Sequence, residues 1–269
     1  MSDKPDKSFN GPGDFIDLLG RSGYSWPKAI AGLTAIDKVS LLQGTTVLAF
    51  HFKGGVLVAG DRRATAGNAI MYERCDKVIP IDDFSLMAIA GVPATAFEMA
   101  RVLSHNFEYY RRSQLQSLST EGKIRALSKL LKDNMGLAMQ GVGAVSPIFA
   151  SYDAKEDKPY IYFYDILGAQ FEIQTHTATG SGSPVIRGIL EYENQWGDKT
   201  LANRDLTEAS RLAIRLLQTA GRFDSATGQA RPEDKIYPII ASISDKGYRF
   251  MPEDELAELF EESTKRNES

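Results

Sequence analysis

The sequence has a single cysteine, Cys75, and three histidines, His51, His105 and His176, scattered along 269 residues. One thiol cannot close an internal disulfide, and no cysteine or histidine pair stands at zinc-ligand spacing. A disulfide-stapled scaffold and a zinc module are both excluded, and no metal or organic cofactor is expected. Lys plus Arg number 31 against 35 Asp plus Glu, a formal charge of −4, which offers no basic footprint for DNA or RNA. No run approaches the ~20 apolar residues that span a bilayer, and the opening stretch lacks the basic and then apolar blocks of a secretory signal. These absences point to a cytoplasmic protein with neither nucleic acid nor membrane as partner.

What is present is an ordinary globular composition, 43% hydrophobic and 25% charged, in a chain long enough for one large core. The first 44 residues differ from the rest. Pro5, Pro12, Pro27 and six glycines are spread through them, and apolar runs such as Phe15 to Leu19 are short. They read as an appendage to a domain of residues 45–269.

From Thr45 onward the text is mostly strand. Residues 46–52 and 55–59 flank Lys53-Gly54, and residues 77–81 and 85–90 flank Asp82-Asp83, which predicts two hairpins. Helical periodicity follows over 93–112 and again over 120–140, where Ile124, Leu127, Leu131, Met135 and Ala138 recur at spacings of three and four. A third hairpin is expected from residues 148–152 and 160–164. Helices follow over 184–194 and 206–220, the latter opened by Asp205 and Glu208 at capping-box spacing. Strands are expected over 235–243 and at Tyr248 to Phe250, with a closing acidic helix over 253–266. Strands, two helices, strands, two helices and strands predict an α+β fold, most simply a four-layer αββα sandwich of two stacked antiparallel sheets flanked by helices.

Three patterns carry possible chemistry. Gly44-Thr45-Thr46 lies where the appendage meets the first strand. If the bond after Gly44 is cut, Thr45 carries a hydroxyl nucleophile and, on the same residue, an α-amine of ordinary pKa near ~8 that can act as its base. Threonines also simply begin strands well. Asp61 follows the second strand in Ala59-Gly60-Asp61-Arg62-Arg63, and Lys77 precedes another; each alone also fits a loop charge. Cys75 has no histidine near it in sequence and fits packing. Gly180-Ser181-Gly182-Ser183 fits a turn and lacks the Lys-Ser/Thr ending of a phosphate loop.

Taken in order, Gly-Thr-Thr at 44–46, Ala-Gly-Asp-Arg-Arg at 59–63, Lys77, Ala-Ile-Ala-Gly at 88–91, Gly-Ser-Gly-Ser at 180–183 and Asp-Ser-Ala-Thr-Gly at 224–228 resemble a bacterial, actinobacterial-like proteasome β subunit. That family belongs to the N-terminal-nucleophile hydrolases, and the resemblance spans nearly all of residues 45–250. It implies a threonine endopeptidase made as a precursor, with Gly44-Thr45 as the processing site and residues 1–44 as the removed leader. It implies Thr45 as nucleophile, Asp61 and Lys77 as its charged pair, Gly91 as the oxyanion N–H, and Ser181 and Asp224 as supports near the threonine amine. Thr227 stands where many relatives have serine.

The resemblance further implies that peptide adds as an extended strand along Thr65 and Gly91. Ala64, Cys75, Ile79, Ile89, Pro93 and Phe97 would line an apolar specificity pocket. The implied partners are identical β subunits in a seven-membered ring, proteasome α subunits, a ring ATPase unfoldase and unfolded protein substrates. Two other readings stand beside it. One is the two-ring bacterial peptidase related to the proteasome, whose leaders are very short. The other is a silent ring subunit, which usually lacks the threonine or lysine that this chain keeps.

Overall fold

The computed structural model describes residues 15–24, 45–67 and 69–264. Strands β1 (Thr46–Phe52) and β2 (Gly55–Gly60) form the first hairpin, in register from Val47 opposite Gly60 to Phe52 opposite Gly55. Gly54 closes it at φ +96°, a left-handed conformation that a side chain resists. Two short strands, β3 (Ala64–Ala66) and β4 (Ala69–Tyr72), then make a separate ribbon. The second hairpin joins β5 (Val78–Asp82) to β6 (Ser85–Ala88), and the third joins β7 (Ile148–Asp153) to β8 (Lys158–Tyr164). Strands β9 (Gln170–Glu172), β10 (His176–Gly180), β11 (Ile239–Ser244) and β12 (Gly247–Phe250) are the remaining strands among the described residues.

Pairing gathers these into two five-stranded antiparallel sheets, ordered β10-β1-β2-β11-β12 and β5-β6-β7-β8-β9. The helices are α1 (Phe15–Arg21), α2 (Pro93–Gln114), α3 (Thr120–Asp133), α4 (Met135–Met139), α5 (Ser183–Trp196), α6 (Leu206–Phe223) and α7 (Glu253–Thr264). Pro93 opens α2, where its missing N–H costs nothing, and Asp205 and Glu208 form the expected capping box on α6. The periodicity over 120–140 predicts one helix, but the chain breaks it at Asn134. That buried side chain turns inward to donate Nδ2–H to the Gly143 carbonyl at 2.6 Å, ending α3 and starting α4. The strand expected from Lys235 begins only at Ile239, because Pro232–Asp234 form a single 3-10 turn and Arg231 bridges Ile236. The closing helix is seen to Thr264; its last two expected residues lie outside the described ones.

Alternation along β1 sorts its side chains between two clusters, as a period of two requires. Leu48, Phe50 and Phe52 pack with Ile186, Leu190, Leu212, Ala213 and Leu216 of α5 and α6. Val47 and Ala49 instead share a cluster with Leu86, Ala88, Ile148 and Ala150 of the other sheet. Met87 and Phe149 face away from it, against Met99, Leu103, Leu127 and Leu131 of α2 and α3. The apolar residues of the two sheets are thus divided among three clusters, two of which include helix residues. Among the described residues no helix is long and apolar enough to cross a membrane.

Candidate active site

Antiparallel pairing brings several chain ends to one place. Thr45 immediately precedes β1, Asp61 immediately follows β2 and Lys77 immediately precedes β5. β10 runs beside β1 with Gly180 opposite Thr46, which carries Ser181 to Thr45. The backbone approach there is close: a Cβ on Gly180 would lie 1.5 Å from the Thr45 carbonyl oxygen, so only glycine fits, at φ +98°. The Ser181 N–H donates to that carbonyl at 3.2 Å.

On one side of Thr45, Asp61 is a hub. Its Oδ1 accepts the Thr46 backbone N–H at 2.9 Å and the Lys77 ammonium at 2.6 Å. Its Oδ2 accepts the backbone N–H groups of Arg63 at 2.9 Å and Gly228 at 2.8 Å. Both side chains are sealed from water, Lys77 at 2% exposure and Asp61 at 0%. A buried carboxylate is tolerable because all these donors surround it. The ammonium also donates to the Arg63 carbonyl at 2.5 Å. Burial pulls Lys77 below the ordinary lysine value, and the Asp61 charge works in the opposite sense.

The other side is made of hydroxyls. Ser181 Oγ donates to Asp224 Oδ2 at 2.6 Å, and Thr227 Oγ1 donates to the same oxygen at 2.5 Å. The Ala226 N–H donates to Asp224 Oδ1 at 3.1 Å. Burial pushes the Asp224 carboxyl up, but the Ser181 and Thr227 hydroxyls and the Ala226 N–H outweigh it and leave the group below its ordinary value. Asp224 is thus a carboxylate near neutrality.

Gly91 sits just past β6 at φ +115°, and a Cβ there would lie 2.1 Å from the Ala144 carbonyl oxygen. Gly91 faces Val145 in an isolated bridge whose bonds run from Ser146 N–H to the Ala90 carbonyl and from Val92 N–H to the Ala144 carbonyl. Those bonds use the residues flanking Gly91, so its own N–H takes no part in the bridge.

The seven expected substrate positions are only partly gathered in the isolated chain. Ile79, Ile89 and Phe97 belong to one apolar cluster, and Ile79 and Phe97 also line a groove of about 750 Å³ beside β5. Ala64, Thr65, Cys75, Ile89 and Pro93 do not line that groove. Thr65 lies in β3 and Pro93 opens α2. Cys75 is buried, and burial raises its thiol above the ordinary value, which suits packing and not nucleophilic attack. Gly44 lies outside the described residues. Among the described residues no group of His, Cys, Asp and Glu is arranged to hold a metal ion.

Four participants carry no local sequence signal of their role. The Arg63 carbonyl and the Gly228 N–H are backbone groups that every such residue owns. The Thr46 hydroxyl, fully buried, looks in sequence like any strand threonine. Glu73 accepts from both Arg63, at 3.3 Å, and Arg231, bracing the segment whose carbonyl receives Lys77; only the fold brings those three together.

With this geometry in hand, comparison with known proteins defines the class. The family described as "Proteasome subunit" matches residues 41–230. "Proteasome subunit beta" of Streptomyces griseus is 36% identical over 255 residues, covering 93% of this chain and 86% of its own. "Proteasome subunit beta 2" of Thermomonospora curvata is 38% identical over 261 residues, covering 93% and 88%, and "Proteasome subunit beta" of Frankia alni is 38% identical over 249 residues, covering 91% and 87%. The chain belongs to the proteasome subunit family. The family places it among the protein-degrading peptidases.

Proposed function

We propose that the chain is the catalytic β subunit of a bacterial proteasome, a threonine endopeptidase whose leader, residues 1–44, is removed by cleavage of Gly44-Thr45. The observation that carries this reading is the sealed Lys77–Asp61 pair, tied through Asp61 Oδ1 to the residue after Thr45. In maturation the Thr45 hydroxyl attacks the Gly44 carbonyl carbon, the acyl group passes from nitrogen to oxygen, and water hydrolyses the ester. The products are a leader carboxylate and a free Thr45 amine.

In each later turnover that amine takes the hydroxyl proton as Thr45 Oγ attacks a peptide carbonyl. Lys77, as an ammonium, favours the neutral amine electrostatically, and Asp61 fixes the lysine. The Gly91 N–H faces the developing oxyanion, a contribution of a few kcal/mol for such donors. The amine delivers its proton to the leaving nitrogen, and water then resolves the ester on Thr45.

Ser181 and Asp224 support the amine, and the hydroxyls already bound to the Asp224 carboxylate favour that role. Peptide adds as a strand along Thr65 and Gly91. Its residue before the cut enters a pocket of Ala64, Cys75, Ile79, Ile89, Pro93 and Phe97, so cleavage after apolar residues is expected. The four-layer αββα sandwich belongs to the same reading, supported by the three separate apolar clusters. So do a seven-membered β ring stacked on α subunits, a ring ATPase that feeds unfolded chains, and a cytoplasmic location.

The test is peptide hydrolysis by the assembled particle. An apolar fluorogenic peptide should be cleaved and should outcompete an acidic one, and Thr45→Ala should reduce the rate to background. Undiminished hydrolysis by Thr45→Ala would refute the reading.

A further inference from the structure

The Thr46 side chain is 0% exposed, and the strand could equally hold valine, its apolar isostere. A buried hydroxyl is costly unless fully paired. Here it is paired on both sides: Thr46 Oγ1 accepts the Gly182 N–H at 2.9 Å and lies 2.6 Å from Thr227 Oγ1. The direction of that second bond follows from its neighbour. Asp224 is a carboxylate and can only accept, so the one Thr227 proton goes to Asp224, and Thr46 must be the donor to Thr227. A polarised chain results, from Gly182 N–H through Thr46 and Thr227 to Asp224.

Ser181 spends its own single proton on the same Asp224 oxygen. Any further hydrogen bond at Ser181 Oγ is therefore one in which it accepts, the complement of an amine N–H. The site is shaped around this chain: a Cβ on Gly182 would come within 2.7 Å of Thr227 Oγ1 and 2.8 Å of Thr46 Oγ1. The backbone of Thr46 meanwhile bonds Asp61 twice, N–H to Oδ1 at 2.9 Å and carbonyl from the Asp61 N–H at 3.1 Å. Thr46 thus touches both sides of the site.

We infer that the Thr46 hydroxyl is a positioning group for the reaction at Thr45. By donating to Thr227 Oγ1 it holds that hydroxyl in place on Asp224, beside Ser181, and joins these groups to the Asp61–Lys77 side. The inference rests on the proposed role of Thr45.

Full-length chains with Thr46→Val, Thr46→Ser and Thr227→Val, in their assembled form, test it by steady-state hydrolysis of an apolar fluorogenic peptide. Thr46→Val should lower kcat about 10- to 100-fold with KM within about twofold, because the Thr46 and Thr227 side chains are fully buried and out of reach of a bound peptide. Thr46→Ser should restore kcat to within about threefold, and Thr227→Val should mimic Thr46→Val, with the double variant no worse than either. Wild-type kcat in Thr46→Val, or a Thr46→Ser as slow as Thr46→Val, overturns the inference. If Thr46→Val does not assemble, Thr227→Val decides by the same two outcomes. An inactive wild-type particle overturns the reading of Thr45 and this inference with it, whereas an active one with unaffected variants overturns the inference alone.

Discussion

On one side of Thr45 lies an ion pair removed from water, Lys77 with Asp61, with every Asp61 lone pair engaged by a donor from a different stretch of chain. On the other lies a carboxylate that stays partly in contact with solvent, Asp224, approached by hydroxyls and beside an exposed Ser181. The sealed side fixes a charge, because neither partner can leave without stranding the other in low dielectric. The open side fixes a direction of hydrogen bonding, set by a carboxylate that only accepts and that water also reaches. The two sides should therefore respond differently to damage.

The largest effect is expected from Lys77→Ala. It leaves the Asp61 carboxylate buried without its cation, which should cost about 3–5 kcal/mol of stability as well as all peptidase activity. Denaturant melts of Lys77→Ala and of Asp61→Asn/Lys77→Met would check it, the double variant recovering much of the loss. Equal stability of Lys77→Ala and wild type would break the comparison.

A smaller effect is expected on the open side. Asp224→Ala should slow hydrolysis by about 10- to 100-fold and cost about 1–3 kcal/mol of stability, because the buried Thr227 hydroxyl loses its acceptor while the carboxylate itself keeps access to water. A loss of folding as deep as that of Lys77→Ala would erase the distinction between the two sides.

The pair also sets a pH limit. In the proposed mechanism Lys77 acts as the ammonium, that form disappears as pH rises, and burial holds its pKa below the ordinary 10.5. Activity should accordingly fall on the alkaline side before that pH. The smallest effect lies far from both sides: Asp205→Ala removes the α6 cap and should cost about 1 kcal/mol with kcat unchanged.

Much of this was legible in the sequence because it is local. The hairpins around Lys53-Gly54 and Asp82-Asp83, the start of α2 at Pro93 and the capping box at Asp205 are written within a few residues. The break at Asn134 was not, because the apolar spacing continues through it and the Gly143 carbonyl that captures the side chain is nine residues away. Strands β3, β4 and β9 are three or four residues long and largely exposed, so no alternation can develop in them. β10, His-Thr-Ala-Thr-Gly, has no bulky residue to mark it, yet its register against β1 delivers Ser181 to Thr45. Within the site, Thr45, Asp61 and Lys77 stood out as residue types in a pattern. The Arg63 carbonyl, the Gly228 N–H and the Thr46 hydroxyl did not, since their roles depend on which distant segments the sheets bring beside them.

The intact mass of the chain recovered from assembled, active particles tests the central claim most directly. The account predicts a chain that begins at Thr45 in the wild type and a full-length, inactive chain for Thr45→Ala. Active particles whose chains still carry residues 1–44 would contradict it.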